Sequence, residues 1–111
     1  MTVLIDPLQH YPHVAWAIKD WCHMAVDGTF EELHAFAAQL GIPRSRFQGD
    51  HYDLTPWIRA RAAALGAEEV PTRELLVRMA GPRGDRARRR ARRDRRDPSV
   101  DRAGADELTD R

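Results

Sequence analysis

The spacing of apolar residues changes several times across residues 1–80, and each change predicts an element. Thr2-Val3-Leu4-Ile5-Asp6 is an apolar, β-branched run without alternation, stopped by Asp6-Pro7; a strand buried on both faces has this pattern. Residues 8–20 are looser. Val14, Ile18 and Trp21 fall on a partial stripe behind Pro12, while His10, Tyr11 and His13 interrupt it, which predicts a loop passing into a short helix. Trp21 to Val26 is again apolar and ends at Asp27-Gly28, a turn signal, so it reads as a second strand. In that strand His23 shares a face with Trp21 and Ala25.

Helix punctuation follows. Thr29 with Glu32 makes a capping box, Phe30, Leu33, Ala37 and Leu40 lie on one helical face, and Gly41 supplies the stop. A short basic link, Pro43-Arg44-Ser45-Arg46, leads into residues 47–54, which predict a third, very short strand. Thr55-Pro56 opens the next helix and Gly66 closes it. Residues 67–70 predict an edge strand, and Thr72 is positioned to cap a final helix carrying Leu75, Leu76 and Met79. The resulting expectation is a small α/β domain over residues 1–80, with three to four short, mostly parallel strands and about three helices. Gly81-Pro82 closes it.

Charge separates the rest of the chain. Residues 1–80 hold 7 Lys and Arg against 10 Asp and Glu, whereas residues 81–111 hold 11 Arg against 7 acids, so a net −3 body precedes a net +4 tail. With nine arginines between Arg83 and Arg96 and few apolar side chains, residues 81–111 read as a disordered, basic tail. Arg88, Arg89, Arg90, Arg92 and Arg93 are its candidate nucleic-acid contacts, acting through phosphate charge without sequence preference. The lone Cys22 excludes an internal disulfide and a cysteine-based zinc cluster, and fits a reducing compartment. The N-terminus has no basic leader, and no apolar run approaches the roughly 20 residues that span a bilayer. The expectation is a cytoplasmic protein without a membrane partner.

Candidate chemistry concentrates in Phe47-Gln48-Gly49-Asp50-His51-Tyr52-Asp53-Leu54-Thr55, where a Gln, carboxylates, an imidazole and a phenol stand together between two helices. A strand puts His51 and Asp53 on one face and Tyr52 on the other, which suits acid–base or metal-ligating work. If the strands are parallel, Asp6, Asp27 and Asp53 gather at the carboxyl edge of the sheet, where such sheets bind ligands. The catalytic candidates are therefore His51, Asp53, Asp6 and Asp27, with Gln48, Asp50, Tyr52 and His23 as ligand-binding candidates. His23 in an apolar strand reads first as a hydrogen-bonded core histidine, and His34 as a half-buried helix residue making one hydrogen bond. Cys22 reads as a buried, inert thiol. No zinc signature or glycine-rich phosphate loop occurs; a divalent cation such as magnesium or manganese, held by oxygen ligands distant in sequence, remains open.

Several of these stretches together resemble a known family. Val3-Leu4-Ile5-Asp6, Trp21-Cys22-His23-Met24 with Asp27, Glu32-Leu33-His34-Ala35, Phe47 to Asp53 and Leu65-Gly66-Ala67 are similar to a bacterial domain of unknown function numbered 4031. The resemblance spans about residues 1–80 and leaves the arginine tail outside; it implies no activity. From the residues, the leading expectation is a small-molecule or phosphate-ester (nucleotide-like) site with metal-assisted hydrolysis. The alternative is a non-enzymatic binding or adaptor module whose tail contacts nucleic acid.

Overall fold

The computed structural model describes residues 2–96. Strand β1 (Thr2–Ile5) pairs antiparallel with the longest strand, β3 (Asp20–Asp27), in the register Thr2 to Asp27 through Ile5 to Met24. Strand β2 (Gln9–His10) pairs antiparallel with the start of β3, and β4 (Tyr52–Leu54) pairs antiparallel with residues 22–24 of β3. Strand β5 (Glu68–Glu69) adds to the far side of β1 in parallel. The sheet has five strands in the order β2-β3-β1-β5, with β4 also against β3. It is mixed, and the expected mostly parallel arrangement is corrected. A two-residue β2, exposed along its length, carries no alternation from which a hairpin could be read.

Residues 8–20 likewise differ from the expected loop and helix. They form the β2–β3 hairpin, closed where Tyr11 N–H donates to the Lys19 carbonyl at 2.8 Å. Between the two registers along β3, Asp6, Pro7 and Leu8 stand opposite only Cys22 and His23. The extra residue is a bulge, which re-aims a side chain, and here it sets Asp6 against His23.

Four α-helices, α1 (Phe30–Gln39), α2 (Pro56–Ala64), α3 (Thr72–Arg78) and α4 (Pro82–Arg96), and a short 3-10 turn at Arg44–Arg46 complete the described residues. The capping box of α1 forms as the sequence predicts, with Thr29 N–H donating to Glu32 Oε1 at 2.9 Å and Glu32 N–H to Thr29 Oγ1 at 3.2 Å. Thr55 precedes α2 without a side-chain capping bond, and Thr72 is not the cap of α3 but its first residue. Val3, Ile5, Met24, Val26, Tyr52 and Leu54 pack with Leu33 and Ala37 of α1 and Ala62 of α2 on one face of the sheet. Leu4, Ala25 and Val70 pack with Leu75 and Met79 of α3 on the other. Alternation along the strands divides the core between the two faces.

The expected disorder after residue 80 does not hold for Pro82–Arg96, which are helical; residues 97–111 lie outside the described part. Helix α4 starts against α3 so closely that a Cβ on Gly84 would stand 1.8 Å from the Met79 carbonyl oxygen. Arg88 donates to the carbonyls of Val77 and Met79 at 2.8 and 3.0 Å and to Asp85, answering acceptors left over at the end of α3. No described helix is long and apolar enough to cross a membrane.

Candidate functional site

The antiparallel β3–β4 pair sets His23 directly opposite Asp53. Around them six more polar side chains converge: Asp6, Gln48, Asp50, His51, Thr72 and Arg83. Asp6, at the bulge after β1, is fully buried; its Oδ1 accepts from the His23 backbone N–H at 2.6 Å. Its Oδ2 pairs with His23 Nδ1 at 2.8 Å and accepts from the Thr72 hydroxyl at 2.8 Å. Burial pushes the Asp6 carboxyl up, but the bonds from His23 and Thr72 outweigh it and hold the group below its ordinary value. An ionised carboxylate only accepts, so His23 Nδ1 is the donor in this pair.

His51 repeats the arrangement. Its Nδ1 lies 2.7 Å from Asp50 Oδ1, and its Nε2 lies 3.3 Å from Asp53 Oδ1. The Asp53 bond raises the imidazole above its ordinary value, against the opposing effect of burial, and Asp50 adds to it. Asp50 is itself held below the carboxylate range, chiefly by Arg83, whose Nε and Nη2 meet its two oxygens at 2.7 and 2.8 Å. Burial raises Asp53, yet His51 and Gln48 hold it below its ordinary value; Gln48 Nε2 donates to Asp53 Oδ2 at 2.6 Å. The turn that carries these residues closes with Gln48 N–H donating to the His51 carbonyl at 2.8 Å, and Gly49 takes φ +85° within it, a conformation glycine adopts without strain.

Of the residues marked in the sequence, Asp6, His23, Gln48, Asp50, His51 and Asp53 come together, His23 bonding to Asp6 and standing opposite Asp53 in the strand pair. Asp27 does not. In the antiparallel register it pairs with Thr2, at the opposite end of β1 from Asp6, and its carboxylate meets Arg78 at 3.2 Å. Tyr52 points to the other face, fully buried, with its hydroxyl 2.7 Å from His34 Nδ1. His34 is thus the half-buried, hydrogen-bonded helix residue that was expected. Arg88 is engaged by α3, whereas Arg89, Arg90, Arg92 and Arg93 are exposed on α4. Sequence reasoning missed Thr72 and Arg83 as partners of the carboxylates, and Tyr11, Trp16 and Trp21 as walls; the aromatic richness of residues 11–21 was the available signal.

One ligand atom each from His23, His51 and Asp53 lies within 4.8 Å of the others, a separation at which three side chains could hold a metal ion after modest closure. An ion bound at about 2.0–2.1 Å sets tetrahedral donors about 3.3 Å apart. These residues line a cavity of about 290 Å³ whose other walls include Tyr11, Val14 and Trp21. Fold and cluster together describe a small, mixed α/β domain with a polar pocket built on its central strand. The chain belongs to the family described as protein of unknown function (DUF4031), whose family model matches residues 3–81. No curated protein and no solved structure matches it.

Proposed function

We propose that His23, His51 and Asp53 bind one divalent transition-metal ion and that the site hydrolyses a small molecule or phosphate ester. The observation that carries this reading is the pairing of each imidazole, at Nδ1, with a carboxylate: Asp6 for His23 and Asp50 for His51. Such partners fix the tautomer and turn Nε2 toward a metal. Three protein ligands leave a coordination position for water, and bound water becomes a nucleophile near neutral pH. Two imidazoles favour zinc, iron, nickel or copper over the oxygen-seeking magnesium, which moves the reading away from the hard cations. Asp50 shares its charge with Arg83, so His51 is oriented without an excess of negative charge beside it.

Zinc titration of chelator-treated protein by calorimetry tests the site. We expect one ion per chain, bound at least about tenfold more weakly by His23→Ala, His51→Ala and Asp53→Asn, and about tenfold more weakly by Asp6→Asn through loss of the orienting bond. The zinc-loaded protein is expected to cleave p-nitrophenyl acetate or bis(p-nitrophenyl) phosphate, and Asp53→Asn to lose that activity. Equal zinc affinity across these variants would overturn the reading.

A second reading is supported by α4. Its exposed Arg86, Arg89, Arg90 and Arg93 recur at helical spacing, so they share one face and could follow a phosphate backbone. Replacing these four by Gln is expected to abolish binding to a duplex of arbitrary sequence in a salt titration, with zinc affinity unchanged. Duplex binding that is insensitive to salt would reject an electrostatic contact.

A further inference from the structure

A second cavity, of about 510 Å³, adjoins the first and shares Trp16, Trp21, Gln48 and Asp53 with it. Its walls are mainly apolar. Trp16 and Trp21 meet edge to face, with ring centroids 5.6 Å apart, and Ile18, Ile42 and Ile58 line the remainder. Trp21 is pinned by its Nε1–H, which donates to the Ile18 carbonyl at 3.0 Å. Trp16 is 60% exposed, an unusual position for so large an apolar surface in the absence of something to cover it.

The polar groups of this cavity are few: Gln48 and Asp53, which bond to each other, and Arg46 and Thr55. Arg46 lines it, is exposed, and makes no ion pair among the described residues. Thr55 also lines it, at the start of α2; its hydroxyl is buried, has no hydrogen-bond partner, and does not cap the helix. A buried hydroxyl without a partner is costly unless a ligand group or local shift supplies one. The first turn of α2 adds the positive end of a helix dipole beside it. A guanidinium, a free hydroxyl and a helix N-terminus all favour an anion, while the tryptophans and isoleucines favour a flat apolar ring.

We infer that this cavity is the substrate subsite of the proposed metal centre and that it takes an aromatic ring bearing an anionic group, phosphate or carboxylate. The ring lies against Trp16 and Trp21, and the anion is held between Arg46 and the start of α2. Asp53 and Gln48, common to both cavities, mark where the ring-bearing compound meets the metal cluster. This inference rests on the metal-site reading for its catalytic meaning, but the binding it describes does not require the ion.

Calorimetry with three probes separates the possibilities: 1-naphthyl phosphate, 1-naphthol and inorganic phosphate, each titrated into zinc-loaded and metal-free full-length protein. Naphthyl phosphate is expected to bind at least about tenfold more tightly than either fragment, because stacking and charge act together. Trp16→Ala and Arg46→Gln should each weaken it about tenfold with unchanged zinc affinity and melting temperature, since both side chains are exposed. A 1-naphthoate titration then tells phosphate from carboxylate preference. If naphthyl phosphate binds no better than phosphate, or if both variants bind it as the parent does, the subsite assignment is overturned. If zinc fails to bind while naphthyl phosphate still binds and responds to both substitutions, the subsite stands and the metal reading alone falls. Binding of naphthyl phosphate that requires zinc and ignores Trp16 and Arg46 sinks the subsite and leaves the metal centre.

Discussion

Asp6 shows how a single residue ties fold and site together. Its carboxylate is fully buried and accepts from the His23 backbone, the His23 ring and Thr72. Replacing it with Asn places an amide N–H₂ where donors already point, so one of those bonds becomes a clash of donors. We expect Asp6→Asn to cost about 3 kcal/mol, the scale for disrupting a buried charged pair, measured by urea unfolding; a loss under about 1 kcal/mol would mean that the network relaxes around the amide. Cys22 lies beside it in sequence to His23 but faces the opposite side of the strand. It is 1% exposed, and burial, reinforced by the Asp6 charge, pushes its thiol up to about 12. At pH 8 the thiolate fraction is then about one in ten thousand, so labelling by iodoacetamide should be slow in the native protein and fast in urea. The inert character of Cys22, the polar cluster at 48–53 and the end of β1 at Asp6 were all legible, because each depends on neighbours in sequence. Asp27 was misplaced because its position relative to Asp6 depends on strand direction, which local spacing does not encode.

At the level of elements, strand direction is where the reading and the structure part. β1, β3 and α1–α3 were visible from their own apolar patterns and flanking turn residues, whereas α4 lay in a stretch that composition assigned to a tail. The parallel arrangement was inferred from helices that follow strands, and it failed because β1 reaches β3 through the β2 hairpin rather than through a crossover helix. A parallel connection needs such a crossover, whereas antiparallel neighbours do not. The stripe of Val14, Ile18 and Trp21 mimicked a helix; in the structure Trp21 belongs to β3, and Val14 and Trp21 line the small cavity. Local grammar was more dependable at α1, where both halves of the capping box form. Thr29→Ala removes the hydroxyl that accepts from Glu32 N–H, and is expected to cost about 1 kcal/mol. Thermal unfolding checks it, and Thr29→Ser, which keeps the hydroxyl, should restore most of the loss. An equal loss in both variants would assign the effect to the Thr methyl group instead of the cap.

For the whole molecule, the open matter is where the folded unit ends. Composition places the boundary at Gly81-Pro82, and the family match stops at residue 81, yet α4 is built onto the body just beyond it. Arg83 meets both oxygens of Asp50, a residue only 9% exposed, and Gly84 lets the helix approach the Met79 carbonyl. Removing α4 therefore leaves Asp50 with His51 as its remaining charged partner and uncovers the end of α3. Because the Arg83 side chain is 47% exposed, solvent screening reduces the value of this pair. We expect a chain ending at residue 81 to lose about 1–2 kcal/mol, and one ending at residue 96 to match the full length, by urea unfolding. Gly84→Ala in the full chain supplies the complementary test: a Cβ cannot share space with the Met79 carbonyl oxygen, so the helix must shift. If α4 supports the site through Arg83 and Asp50, Gly84→Ala, Arg83→Ala and the cut at 81 should each weaken zinc binding, because each loosens the carboxylate that orients His51. If all three leave zinc affinity and stability unchanged, α4 is an appended basic helix and the boundary at residue 81 is the real edge of the domain.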